Sequence, residues 1–150
     1  MKRVTLLLLF GCLVIQAYPQ NADSEKKEII KVIDAAYVQG IHNVSATENI
    51  SKGFHPGFNL LGIDQNNNLT KLPIYTWEAS VNKRVEVGQS PAVETIAKYP
   101  MIDITGTAAV AKVELYRDGV QIFTDYLFLY KFEEGWRIVS KVYYRIPVRD

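Results

Sequence analysis

The stretch that decides the fold is Met101 to Pro147, MIDITGTAAVAKVELYRDGVQIFTDYLFLYKFEEGWRIVSKVYYRIP. It predicts three long strands joined by turns at Arg117-Asp118-Gly119 and Glu133-Glu134-Gly135. Asp-Gly is a strong hairpin signal because both residues tolerate a positive φ. A further strand from about Val93 to Ile104 precedes them. Such a meander can form the curved sheet of a small cone-shaped domain. A cone of this kind can enclose a pocket, so the expected functions are those that a pocket can perform.

The first half of the chain predicts the helices that would close the mouth of this cone. Apolar residues recur at helical spacing from Ile29 to Ile41, so a helix is predicted to begin at Glu25, with Gly40 weakening or ending it. Helices therefore precede most of the strands, which indicates an α+β fold. The other predicted elements are a short helix at Thr47–Lys52, a hairpin of Phe58–Ile63 and Leu69–Ile74, and a helix at Trp77–Val87.

The first twenty residues are typical of a cleaved leader. Lys2 and Arg3 precede an apolar run from Leu6 to Ile15, and small residues follow, so we expect cleavage between Ala17 and Ala22. This pattern predicts export to the periplasm or the medium. The division of the chain is then a signal peptide at residues 1–20 and one domain at residues 21–150.

Cys12 leaves an alternative open. Leu9-Phe10-Gly11-Cys12 resembles a lipoprotein box, in which the cysteine becomes the lipidated N-terminus. The apolar run continues past Cys12 to Ile15, which favours ordinary cleavage. Under the lipoprotein alternative the domain would be tethered to a membrane, and otherwise no membrane partner is expected.

Composition excludes several classes of function. Cys12 is the only cysteine, so the domain is expected to hold neither a disulfide nor a thiolate site. The chain has 17 basic and 16 acidic residues, and removing Lys2 and Arg3 leaves 15 against 16. This balance gives no reason to expect a nucleic-acid partner.

The strand from Val120 to Phe132 predicts that both faces of the sheet are covered. One face carries Tyr126, Phe128 and Tyr130. The other face carries Phe123, Asp125, Leu127 and Leu129. A sheet with one wet face would alternate polar and apolar residues. Helices can cover only one face, so the sheet either curls on itself like a barrel or packs against a second copy. The sequence favours a homodimer that packs sheet to sheet.

The chain resembles a known family over about Ser24 to Pro147. The resemblance rests on the helical start and on the segments His55-Pro56-Gly57-Phe58, Asp103-Ile104-Thr105-Gly106, Ala108–Glu114 and Asp125–Lys141. These resemble the putative lumazine-binding family of the nuclear-transport-factor-2-like superfamily, which includes polyketide cyclases and ketosteroid isomerases. The resemblance implies a cystatin-like cone, a strongly curved antiparallel sheet packed against about three helices.

Asp103 and Asp125 are the acidic candidates for chemistry, because each lies within or at the end of an apolar strand. In the resembled isomerases a strand carboxylate takes a proton from carbon, and a tyrosine helps to stabilise the enolate. Asp103, Asp125 and Tyr126 could take such roles. The alternative is a structural ion pair between Asp125 and Lys141 across two neighbouring strands. Strict alternation along the last strand puts Lys141 on one face together with Arg137, Val139, Tyr143 and Arg145.

The two histidines give weaker signals. His55 lies in a corner rich in Gly and Pro, where it could line the mouth as an acid or base or simply bond to backbone. His42 follows a helix end and is interpreted as a solvated residue. Neither has a partner at ligand spacing, so no metal is expected. No cofactor motif is present.

Three functions remain open. The sequence favours an exported binding module that holds a small, mostly apolar ligand in the cone. The alternatives are a cofactor-independent isomerase or cyclase that uses Asp103, Asp125 or His55 as its base, and an interaction domain without a pocket. The candidate pocket residues are Tyr37, Phe54, His55, Phe58, Tyr75, Trp77, Asp103, Tyr126 and Lys141.

Overall fold

The structure is a computed structural model that describes residues 18–147. Cys12 and residues 1–17 of the predicted leader lie outside the described residues, so export and lipidation stay predictions. No helix within residues 18–147 has the length and apolar character needed to cross a membrane.

Helices come first and strands follow, as the sequence predicts. The first helix is α1 (Tyr18–Val32), which continues as a π-helix (Ile33–His42). The elements after it are a 3₁₀ turn (Thr47–Asn49), α2 (Ile50–Gly53), β1 (Phe54–Ile63), β2 (Leu69–Pro73), α3 (Ile74–Glu86), β3 (Thr95–Thr105), β4 (Ala108–Arg117), β5 (Val120–Phe132) and β6 (Gly135–Arg145).

All six strands form one curved sheet that does not close, in the order β2-β1-β6-β5-β4-β3. Neighbouring strands run antiparallel except β1 and β6, which run parallel. The meander β3 to β6 therefore forms as predicted, with Arg117 opposite Val120 at the Asp-Gly turn. The α+β cone expected from the sequence is confirmed.

The two faces of the sheet differ in their surroundings. On β5, Asp125, Leu127 and Leu129 are buried on the concave face, where the helices pack. Tyr126 and Phe128 alternate with them and point to the convex face, which is exposed in the single chain. The core is thus built on one side of the sheet only.

The first helix was predicted to weaken or end at Gly40, and it does not end there. It runs on as a π-helix, in which the N–H of Asn43 donates to the carbonyl of Val38, five residues earlier, at 2.9 Å. A Cβ on Gly40 would lie 2.8 Å from Cγ1 of Ile50. Glycine is therefore present because α2 packs closely here, and not because the helix stops.

Strand β1 begins at Phe54, four residues before the predicted start at Phe58. Phe54 pairs with Ile138, and the register then shifts before Asn59 pairs with Ser140. Irregular pairing of this kind accommodates Pro56, which has no N–H for a ladder. A similar error concerns α3, which begins at Ile74, directly after Pro73, and not at Trp77.

Candidate functional site

Three polar side chains form a buried cluster on the concave face, which we call the buried triad: Tyr37, Asp125 and Lys141. The Lys141 ammonium donates to Oδ1 of Asp125 at 2.8 Å and to the Tyr37 hydroxyl at 2.5 Å. The Tyr37 hydroxyl donates in turn to Oδ2 of Asp125 at 2.7 Å. Each charge thus has partners, as burial requires.

Strands β5 and β6 place the two charges on the same face. Leu127 lies opposite Lys141 and Asp125 lies opposite Tyr143, so Asp125 and Lys141 are diagonal neighbours. The predicted ion pair is present, but it is fully buried and not a surface pair.

A bulge in β6 determines which side chains share the face of Lys141. Leu129 pairs with Ile138 and Phe128 pairs with Ser140, which leaves Val139 as the extra residue. Strict alternation predicted that Val139 shares a face with Lys141. The bulge instead puts Ile138 and Lys141 on the concave face, because one extra residue reverses the alternation.

Aromatic rings surround the ammonium group. Lys141 Nζ lies 4.8 Å from the ring centre of Tyr37 and 4.9 Å from that of Tyr143. The rings of Trp77 and Phe123 lie at 5.7 and 5.8 Å. These distances allow cation–π attraction, which strengthens when water is excluded. We call Trp77, Phe123 and Tyr143 the aromatic rim, because each remains partly exposed at the mouth of the cone.

His42 belongs to the same cluster, although the sequence suggested a solvated residue. Its ring meets that of Tyr37 edge-on at 4.7 Å and lies 6.2 Å from that of Phe123. Nε2 is buried and has no hydrogen-bond partner within residues 18–147. The π-helix explains the error, because its i to i+5 hydrogen bonds bring residues 37 and 42 to one side.

Burial controls the protonation of these groups. Burial, followed by the charge of Asp125, raises the pKa of Tyr37 well above its ordinary value, so its hydroxyl stays protonated. Burial lowers the pKa of Lys141, while the Asp125 carboxylate acts in the opposite direction. Burial, assisted by the positive charges of Lys141, Arg117 and Arg84, lowers the pKa of His42 to about 3.

The deep part of the cone is filled. Tyr37, Phe58 and Asp125 are 0% exposed and Phe54 is 1% exposed, so no water-sized space touches them. Phe58 and Trp77 stack at 6.1 Å, and Phe54 meets Phe58 edge-on at 4.8 Å. Of the predicted pocket residues, these aromatic residues and Lys141 do come together, as packing partners.

The other predicted residues lie elsewhere. Asp103 pairs with Val110 and is exposed on the convex face, where Tyr126 also lies. Tyr75 is 69% exposed on α3. Nδ1 of His55 accepts from the N–H of Gly57 at 3.0 Å, and its ring stacks on Phe132 at 4.8 Å.

Metal-ion chemistry finds no ready cluster in this part of the chain. Within residues 18–147, no three His, Cys, Asp or Glu side chains are grouped so as to hold a metal ion. The groups available for binding or catalysis at this site are the buried triad, His42 and the aromatic rim.

Comparison with protein families identifies one match. The model of the family described as "Putative lumazine-binding" matches residues 24–144. No functionally curated protein matches the chain.

Solved structures of similar fold extend this finding. An NTF2-like protein of unknown function from Shewanella baltica is 27% identical, with a TM-score of 0.66, and the match covers 84% of this chain and 97% of that one. A second such protein, from Silicibacter pomeroyi, is 19% identical with a TM-score of 0.63 and coverages of 85% and 98%. A domain with a cystatin-like fold from Nostoc punctiforme is 11% identical with a TM-score of 0.60 and coverages of 83% and 79%.

Proposed function

The chain belongs to the putative lumazine-binding family, and from that premise we propose that it binds a small, mostly apolar ligand at the aromatic rim. The ligand would lie against Trp77, Phe123 and Tyr143, above Lys141 and His42. The deep cone offers it no space, so the site is shallower than the sequence suggested.

Unsatisfied hydrogen-bonding capacity is the observation that carries the proposal. An ammonium group has three donors, and described residues supply two acceptors for Lys141, Tyr37 and Asp125. Buried Nε2 of His42 has no partner within the described part of the chain. A buried polar group without a partner costs about 1–3 kcal/mol, so a ligand that supplies one gains affinity.

These two groups favour a flat ligand with a polar edge. Lys141 can donate one further hydrogen bond and His42 offers one ring nitrogen; both groups are buried, so a ligand would reach them only when the rim side chains move aside. Around them the rim supplies aromatic faces, which pack on planar rings. Lumazine, the compound in the family description, is a planar bicycle whose edge alternates N–H and C=O groups. It is more polar than the proposed ligand, but it probes both the stacking on the rim and the contact with a polar edge.

Binding is favoured over catalysis by the position of Asp125. Both of its oxygens accept hydrogen bonds and the residue is 0% exposed, so it cannot reach a proton on a substrate. Asp103 is exposed on the opposite face of the sheet, away from the rim. The isomerase-type alternative therefore lacks a carboxylate base at this site.

A fluorescence titration tests the binding proposal. The chain has two tryptophans, so a Trp136→Phe background leaves Trp77 as the reporter. We expect lumazine to quench Trp77 saturably, and we expect Phe123→Ala to weaken binding about three- to tenfold through lost stacking. Phe132→Ala, at the opposite end of β5, is the matched control and should bind normally. Absence of saturation at millimolar lumazine, or equal weakening by both variants, would refute lumazine binding at the rim.

We also propose that the domain forms a homodimer through its convex face. Exposed apolar side chains cover this face on the central strands, and patches of this kind mark interfaces. A second copy would bury the same patch on both partners under two-fold symmetry. The exposed residues that define the convex patch are Tyr126, Phe128 and Tyr130 on β5, with Met101 on the edge strand β3.

Sedimentation velocity at micromolar concentration checks the dimer. We expect the wild-type domain to sediment as a dimer and Phe128→Asp to sediment as a monomer, because a carboxylate would be buried at the centre of the patch. Tyr75→Asp is the matched control, since Tyr75 is equally aromatic but 69% exposed on α3. A wild-type monomer, or a Phe128→Asp dimer, contradicts the proposal.

A further inference from the structure

Strands β1 and β6 separate beyond the buried triad. Their parallel pairing ends where Leu60 meets Lys141. Beyond this point β1 pairs with β2, and β6 pairs with β5. The gap between the separated ends holds a cleft of about 520 Å³, a volume within the range of small-molecule sites.

The walls of this cleft are apolar and exposed to solvent. They include Leu61, Ile63, Leu69 and Tyr144. Ile63 is 73% exposed, Leu69 is 64% exposed and Tyr144 is 61% exposed. Burying such surface stabilises a complex by about 25 cal/mol per Å², so an apolar ligand body would be held here.

One positive charge borders the cleft. Arg145 is the only charged residue of the lining, and no carboxylate within residues 18–147 forms an ion pair with it. Its guanidinium lies 5.7 Å from the ring centre of Phe123. The nearby Asp64 is engaged in its own turn, where Oδ1 accepts from the N–H groups of Asn66 and Asn68. The charge in the cleft therefore selects an anionic group.

Gly62 and Tyr143 close the cleft on the side of the buried triad. A Cβ on Gly62 would lie 3.3 Å from the Tyr143 hydroxyl, so glycine allows Tyr143 to lie against β1. The ring of Tyr143 in turn lies 4.9 Å from Lys141 Nζ. Tyr143 thus stands between the cleft and the buried triad, and it borders both the cleft and the aromatic rim.

We propose that this cleft binds an amphiphile with a single carboxylate head and an unbranched apolar chain. Arg145 would hold the carboxylate through a bidentate, charge-assisted pair of hydrogen bonds. The chain would lie along Leu61, Ile63 and Leu69. The site accepts a medium-length acyl carboxylate and discriminates against a neutral molecule of the same shape.

The test uses decanoate labelled with ¹³C at its carboxyl carbon, titrated with the purified domain and followed by NMR. We expect a one-to-one complex, at least about tenfold weaker binding of 1-decanol, and an at least about tenfold loss of decanoate affinity in Arg145→Gln. Arg137→Gln is the matched control, since Arg137 lies near the start of the same strand and pairs with Glu134. It should bind decanoate as the wild type does.

A second variant locates the chain of the ligand. Ile63→Ser alters a mostly exposed residue of the cleft and leaves the rim intact, so it should weaken decanoate binding and leave lumazine quenching of Trp77 unchanged. The proposal fails if decanoate does not bind at millimolar concentration, if decanol binds equally well, or if Arg145→Gln binds normally. It also fails if Phe123→Ala abolishes decanoate binding while Ile63→Ser does not, because the ligand would then lie at the rim.

Discussion

Replacing Asp125 by asparagine is expected to lower the free energy of unfolding by about 3–5 kcal/mol, because it leaves the buried ammonium of Lys141 without a counter-charge. Asp125 is 0% exposed and Lys141 is 4% exposed, so water cannot replace the lost partner. The amide is close in size to the carboxylate, which separates the loss of charge from the loss of volume. Urea unfolding at pH 7 measures the difference.

Two comparisons sharpen this result. Replacing both charges, with Asp125→Leu and Lys141→Met together, should recover much of the lost stability, since apolar side chains of similar volume can substitute for a buried pair. Lys112→Gln is the matched control, because Lys112 forms a partly exposed pair with Glu114 at 3.6 Å. Its loss should cost no more than about 1 kcal/mol. A loss below about 1 kcal/mol in Asp125→Asn would show that the triad does not hold a charged lysine.

The stability of the domain is expected to fall as the pH drops from about 6.5 towards 3, and His42 to account for a separable part of that fall. The pKa of His42 is about 3 in the folded protein, against an ordinary value of 6.5. Between these values the unfolded chain binds a proton that the folded chain excludes, so stability decreases as pH falls. The full shift corresponds to on the order of 4 kcal/mol at the acid end of this window.

The contribution of His42 is obtained by difference. His42→Phe keeps an aromatic ring beside Tyr37 but cannot titrate, so the stability difference between wild type and variant should change with pH between about 6.5 and 3. His55→Phe is the matched control, as His55 is the other histidine of the chain and lies in the exposed corner at Gly57. Urea unfolding at several pH values provides the data. A constant difference between wild type and His42→Phe would mean that His42 is protonated equally in both states.

The strands of the meander could be predicted from sequence because their signals are local. The turn at Asp118-Gly119 fixes β4 and β5, and the period-two pattern of β5 correctly separates Leu127 from Tyr126. Such patterns depend only on neighbours in the chain, which a single sequence displays. The cone then follows from the order of the elements.

The site was harder to predict because it depends on two backbone irregularities and on how the core is packed. The π-helix turns His42 inward, the bulge at Val139 sets the face of Lys141, and the filled core leaves Phe58 without a cavity. None of these has a distinct residue pattern. The five-residue spacing between Tyr37 and His42 is the sequence signal that fits one side of a π-helix. An α-helix would put these two residues on different sides, so α-helical periodicity does not reveal their contact.

The parallel pair between β1 and β6 bears on how the chain folds. Phe54 and Ile138 lie 84 positions apart (138 minus 54), whereas Arg117 and Val120 adjoin across a turn. Closing the longer loop costs more chain entropy, so the meander can assemble before the first strand joins it. If the meander forms first, we expect Lys141 and Asp125 to begin as a hydrated pair on an open sheet. The helices would then remove water from this pair when the N-terminal half docks, and Trp77 would complete the aromatic rim in that same step.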